Sequence, residues 1–155
     1  MYSGYNMRKL RLKGFTLAEL LIVIAVALLL AAVVFLTVMV QIGKARDAQR
    51  KADLDKIRTA LEDWFDDYGR FPQAGELPGC DQGFGRYLAI FPCDPRTRQP
   101  YTYVTDASGS WFKLYTSLER TQDPVIIKIG CQSGCGPGSA YNYGVSSSNV
   151  GVGEG

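Results

Sequence analysis

Few residue types in this chain can carry reactive chemistry, and their placement narrows what they can do. No histidine occurs among the 155 residues, which removes His-based triads, His-ligated metals and imidazole acid–base chemistry. The acids show no paired arrangement of the kind that general acid–base catalysis needs, so no enzyme is predicted. Four cysteines, Cys80, Cys93, Cys131 and Cys135, all follow the one long apolar segment. An even number of thiols on one side of a membrane predicts disulfides in an oxidising compartment. Three pairings exist; Cys80 with Cys93 and Cys131 with Cys135 close the shortest loops, and connectivity stays open at this level. Zinc is the competing use, but neither pair is a CxxC and no His completes the set. One carboxylate stands apart. Glu19 sits at the edge of an apolar run, where an acid costs on the order of a few kcal/mol unless it snorkels, protonates or meets a cation.

The elements that hold these residues divide sharply by composition. Leu20 to Val40 is 21 positions without a charge, with only Thr37 polar. As a helix it spans about 32 Å, close to the hydrocarbon thickness of a bilayer. Before it, Met1 to Gly14 carries Arg8, Lys9, Arg11 and Lys13 and no acid. Four of the 17 basic residues therefore lie in this leader, and without it 13 basic face 15 acidic side chains. Bulk electrostatic binding of nucleic acid is not supported. A secretory signal peptide would place its small-x-small site at the end of the run, whereas Ala25-Val26-Ala27 lies in its middle. A plain single-pass anchor explains the length but leaves Glu19 without a reason. Basic residues follow the run (Lys44, Arg46, Arg50, Lys51, Lys56, Arg58) as well as precede it, so charge alone does not orient it.

Past Val40 the helical period persists. Leu54, Ile57, Leu61, Trp64 and Tyr68 recur at spacings of three and four, widened by Phe65, as one apolar face. Lys44, Arg46, Asp47, Arg50, Lys51, Asp53, Asp55, Lys56 and Arg58 are read as solvated or intersubunit positions, with Asp47 and Lys51 at the acid-before-base i,i+4 spacing. No proline interrupts Phe15 to Tyr68, which predicts one helix ended by Gly69 and Pro72. Trp64, Phe65 and Tyr68 are read as the stripe that docks this helix on a sheet rather than as a ligand platform. Gly69 to Cys93 is dense in glycine and proline and reads as a loop, with a helical turn near Arg86 to Ile90. Strands are predicted at Tyr101 to Thr105, Trp111 to Thr116 and Val125 to Ile129, the first two joined as a hairpin. Tyr103, Phe112, Leu114, Ile127 and Ile129 are the expected sheet core, facing Leu61 and Trp64. Gly144 to Gly155 is Gly, Ser and Val without pattern and reads as a flexible tail.

The run Lys13-Gly14-Phe15-Thr16-Leu17-Ala18-Glu19-Leu20-Leu21-Ile22-Val23-Ile24 resembles the class III signal of type IV pilins and type II secretion pseudopilins. The resemblance implies cleavage by a prepilin peptidase between Gly14 and Phe15, N-methylation of Phe15, and Glu19 as the fifth mature residue. Cleavage would create an amine four residues from Glu19, about 6 Å along the axis, able to pair with its own acid or with a staggered neighbour's. It also implies an inner-membrane precursor with its leader in the cytoplasm and its head outside, an assembly platform, minor pilins, and a homo-oligomeric cell-surface or periplasmic filament. Asp94-Pro95 through Pro100-Tyr101-Thr102-Tyr103 is similar to the Asp-Pro…Pro-Tyr-x-Tyr segment of major pseudopilins. Those proteins bind calcium in a later loop, where this chain offers only Glu119 and Asp123. Many type IV pilins carry a proline in the apolar half; this chain has none.

The expected fold is α+β and pilin-like: a leader (1–14), a transmembrane and assembly half-helix (15–40), an amphipathic half-helix (41–68), a head with loop and antiparallel sheet (69–143) and a tail (144–155). The expected function is a filament subunit, without a cofactor. The alternatives are a major pseudopilin of a secretion system and a non-assembling, membrane-anchored binding module.

Overall fold

The computed structural model describes residues 14–153; the leader up to Lys13 and the last two residues of the tail lie outside the described residues. Helix α1 runs Leu17–Tyr68. It ends where Gly69 takes φ +67° and donates its N–H to the Phe65 carbonyl at 2.7 Å, the left-handed cap that glycine accommodates without strain. The chain forms two compact units, one up to Met39 and one from Val40. In the first, α1 is long and apolar enough to cross a membrane, with a mean hydropathy of 3.2 over its most apolar window.

In the second unit, α1 packs on a small antiparallel sheet. Strands β1 (Thr102–Thr105), β2 (Phe112–Thr116) and β3 (Tyr143–Ser146) lie in the order β1-β2-β3. Tyr103 sits opposite Leu114 and Thr105 opposite Phe112, while Leu114 pairs with Val145. Central β2 is buried along its whole length. Alternation of side chains across a strand puts Phe112 and Leu114 on one face, and both join Leu54, Ile57 and Leu61 in a core from which solvent is excluded. Each such aliphatic or aromatic side chain contributes on the order of 1.5–3 kcal/mol by leaving water. Phe71 stands edge-on to Phe112 at 4.7 Å and joins Phe65 to the same core.

Three expectations need correction. Val125 to Ile129 is not a strand. Asp123 caps the short helix α2 (Pro124–Lys128) by accepting from the Val125 N–H at 3.1 Å, and Pro124 occupies the first turn. This start signal overrides the β preference of Val-Ile-Ile. Ile126 is therefore the buried residue, and Ile127 is 65% exposed. The third strand comes instead from residues assigned to the tail: Gly144, Val145 and Ser146 belong to β3, and Ser147 is buried beside it. Residues 86–90 form no helical turn; Phe84 and Leu88 bridge around a tight turn, and a 3₁₀ turn lies earlier at Ala74–Glu76.

Candidate functional site

The junction ahead of α1 is built by local chemistry. Thr16 is the N-cap: its Oγ1 accepts from the Glu19 N–H at 3.2 Å, and its own N–H donates to Glu19 Oε2 at 2.9 Å. The Thr16 hydroxyl donates to the same carboxylate oxygen at 2.9 Å. This reciprocal pair is a capping box, which satisfies two amides that the first helical turn leaves open. The helix therefore starts at Leu17 rather than Phe15. Gly14, Phe15 and Thr16 precede it as exposed, non-helical chain, with Phe15 82% exposed. The Gly14–Phe15 peptide thus lies in open chain directly ahead of a fixed helix start. Glu19 is turned back on its own first turn, with its carboxylate in reach of any donor added at that end.

A scan against protein families matches residues 10–35 to the prokaryotic N-terminal methylation motif. The chain carries the class III signal of type IV pilins and pseudopilins. The motif supports a pilin or pseudopilin class and a membrane-anchored precursor. Searches of curated proteins and of solved structures return no significant match.

The remaining candidate residues lie in the head. The structure joins Cys80 to Cys93 and Cys131 to Cys135. The first closes the loop that follows the 3₁₀ turn. The second sits behind β2, where the Tyr115 ring packs against Gly136 and stacks on Tyr141. Glu119 and Asp123, the calcium candidates, are engaged by cations of α1. Arg46 holds Glu119 through two hydrogen bonds at 2.7 and 2.6 Å, and Lys51 Nζ lies 2.6 Å from Asp123 Oδ2. These contacts hold both carboxyls below the ordinary range. Among the described residues no cluster of three or more Asp, Glu, Cys or His side chains could hold a metal.

Arg50 is the centre of this arrangement, and the reading of it as a surface charge is overturned. With Asp47 and Asp53 it is almost fully buried. Its guanidinium donates to both oxygens of Asp94 (2.6 and 3.3 Å), to Asp47 (2.9 Å) and to Glu119 (3.0 Å). Asp47 in turn accepts the backbone N–H groups of Glu119 and Arg120 at 2.8 and 2.9 Å. Asp47 pairs with Arg50 and not with Lys51. Burial pushes the Asp94 carboxyl up, but Arg50 and the amides of Thr97 and Arg96 outweigh it and hold it at about 2. Asp53, by contrast, is raised by burial despite accepting from the Tyr101 hydroxyl at 3.0 Å. The clamp fastens the loop holding Asp94 and the segment after β2 to one turn of α1. The spacing of Asp47 and Arg50, three apart and in step with Leu54, is the signal that marks them as inward-facing.

Proposed function

We propose that this chain is a type IV pilus-like filament subunit, cut between Gly14 and Phe15 by a prepilin peptidase, N-methylated on Phe15 and assembled through its apolar helix. The observation that carries this reading is the methylation motif seated on an open Gly14–Phe15 peptide, a capped helix start and an apolar run. Cleavage removes the four leader cations and leaves an amine on Phe15, the residue before the N-cap. Glu19 then has two classes of donor within reach: Thr16 within its own chain, and the amine of its own or a staggered neighbour's Phe15. An intermolecular pair neutralises two charges at the hydrocarbon edge at once, which favours staggered addition over lateral clustering. Burial of apolar surface along the helices supplies the cohesion.

The test is Glu19→Ala in cells that make the filament. Cleavage and methylation continue, because Gly14 and Phe15 are untouched, while incorporation into sheared filaments falls sharply. Wild-type levels of incorporation would remove the assembly role of Glu19. A second reading, the major pseudopilin of a secretion system, draws support from the Asp94-Pro95…Pro100-Tyr101-x-Tyr103 segment. Here Asp94 anchors on Arg50, Tyr101 on Asp53, and Tyr103 donates to the Pro72 carbonyl at 2.6 Å. Secretion of a co-expressed substrate, compared with surface piliation, separates the two. A retained Met1 on the mature protein would instead favour the anchored binding module.

A further inference from the structure

Two exposed features of the head complement each other in charge and chemistry. The first is an open cleft of about 590 Å³ at the carboxy-terminal end of α1, lined by Trp64, Asp67, Tyr68, Gly85, Arg86 and Tyr87. Trp64 stacks on Tyr68 at 4.3 Å and on Phe84 at 5.0 Å, and Tyr87 tilts over it at 5.3 Å. The cleft already shows what it accommodates. The Arg86 guanidinium lies 5.5 Å from the Tyr87 ring and pairs with Asp67, which also accepts from the Tyr87 hydroxyl. Asp63 and Asp66 border the adjoining hollow. Both are exposed, and neither has a partner among the described residues. Aromatic faces ringed by carboxylates suit a guanidinium, which is weakly hydrated and flat enough to stack.

The second feature is a basic knuckle, Arg96-Thr97-Arg98. Asp94 Oδ1 accepts the N–H groups of Arg96 and Thr97 at 2.9 and 2.8 Å, and the Arg98 N–H donates to the Asp94 carbonyl at 2.9 Å. Arg98 is held at φ +57°, a left-handed conformation that residues with a Cβ adopt rarely. Because Asp94 is itself locked by Arg50, the knuckle is a fixed support. Its two arginine side chains point into solvent with no partner among the described residues.

Resting on the filament reading above, we propose that the Arg96–Arg98 knuckle of one subunit seats in the Trp64–Tyr68–Tyr87 cleft of a second copy, its guanidiniums against the rings and the Asp63 and Asp66 carboxylates. The knuckle is fastened to α1 at Arg50, and the acids beside the cleft begin at Asp63. Thirteen residues of helix place them about 20 Å apart along the axis. Two different patches make the contact heterologous; with α1 of successive copies parallel, as the filament reading requires, the axial offset keeps repetition from closing into a ring and gives an open filament. Each copy offers both patches, so one contact type serves every subunit.

The experiment uses the full-length chain in cells that process and assemble it, with filament yield measured against the membrane pool. Asp63→Arg with Asp66→Arg lowers yield at least about tenfold, and Arg96→Glu with Arg98→Glu does the same, since each places like charges face to face. Combining all four reversals restores most of the yield. A photo-crosslinking residue at position 68 links to the peptide containing Arg96 of another copy. Normal processing and membrane level of each variant show that it folds. Assembly of either reversed pair at the wild-type level, a fourfold variant no better than the pairs, or crosslinks only to other segments overturns the contact and leaves the filament reading standing. Absence of filaments from the wild type removes that reading, and the contact with it.

Discussion

Replacing Arg50 by methionine isolates the energetics of the clamp. The methionine fills much of the side-chain volume but removes every donor that Asp94, Asp47 and Glu119 share. Arg50 is 3% exposed, the Asp47 side chain 3% and the Asp94 side chain 12%, so two carboxylates are left without their cation in a place water barely reaches. Breaking a buried pair in this way costs about 3–5 kcal/mol. For a head of this size that lowers the melting midpoint by roughly 10–20 °C. Trp64 and Trp111, both in the unit that starts at Val40, report the transition by fluorescence in the detergent-solubilised full chain. The control is Lys51→Met, which removes a single pair at 2.6 Å whose lysine is 30% exposed; that costs about 1 kcal/mol or less. Adding Asp94→Asn to Arg50→Met recovers part of the loss, because the asparagine still accepts from the Arg96 and Thr97 amides without a stranded charge. An Arg50→Met loss no larger than that of Lys51→Met, or a double variant no better than the single, would refute the reasoning. The pH dependence follows the same logic. Asp94 is held at about 2 in the folded head, below the ordinary carboxylate value, so its contribution is full above about pH 4 and is lost as pH falls towards 2. That acid-induced loss shrinks in Arg50→Met.

Asp53 works in the opposite direction: its carboxyl is raised by burial, so its charge opposes folding at neutral pH, and Asp53→Asn holds or raises the melting midpoint at pH 7, with the gain vanishing below about pH 4. Ile126→Ala costs about 2–5 kcal/mol by opening a cavity, whereas Ile127→Ala stays within about 0.5 kcal/mol; a strand at 125–129 would give the reverse, and chemical denaturation of the pair decides. Gly144→Ala puts a Cβ 2.6 Å from the Leu114 carbonyl oxygen and 2.9 Å from the Tyr115 ring. It destabilises by about 1–3 kcal/mol, seen as an earlier thermal transition.

What the sequence revealed follows from how local each signal is. The helix, its stop at Gly69 and the β1–β2 hairpin rest on periodicity and turn residues within a few positions, and they read directly. The same period carried further explains the clamp. Gly43, Asp47, Arg50, Leu54, Ile57 and Leu61 are spaced four, three, four, three and four apart, so they share one face. Treating charge as a sign of solvent hides Asp47 and Arg50, whose partners beyond each other lie 44 or more residues away and cannot be paired by inspection. At Val125 to Ile129 the β-branched composition points to a strand, and the Asp123-Pro124 helix start wins over it. Strand β3 was hidden for a different reason: Gly144 sits in it because Tyr115 and the Leu114 carbonyl leave no room for a side chain, a constraint visible only after folding. At the amino terminus the family pattern was legible, yet the capping box within it, Thr16 to Glu19, emerged only from the hydrogen bonds.

The most direct test of the central claim is mass spectrometry of the amino-terminal peptide of this chain, recovered from filaments sheared off the cell. The expected peptide begins at Phe15 and carries one methyl group on its amine. A chain that retains Met1, begins at another residue, or is missing from the filament fraction while abundant in the membrane would contradict processing at Gly14–Phe15 and assembly.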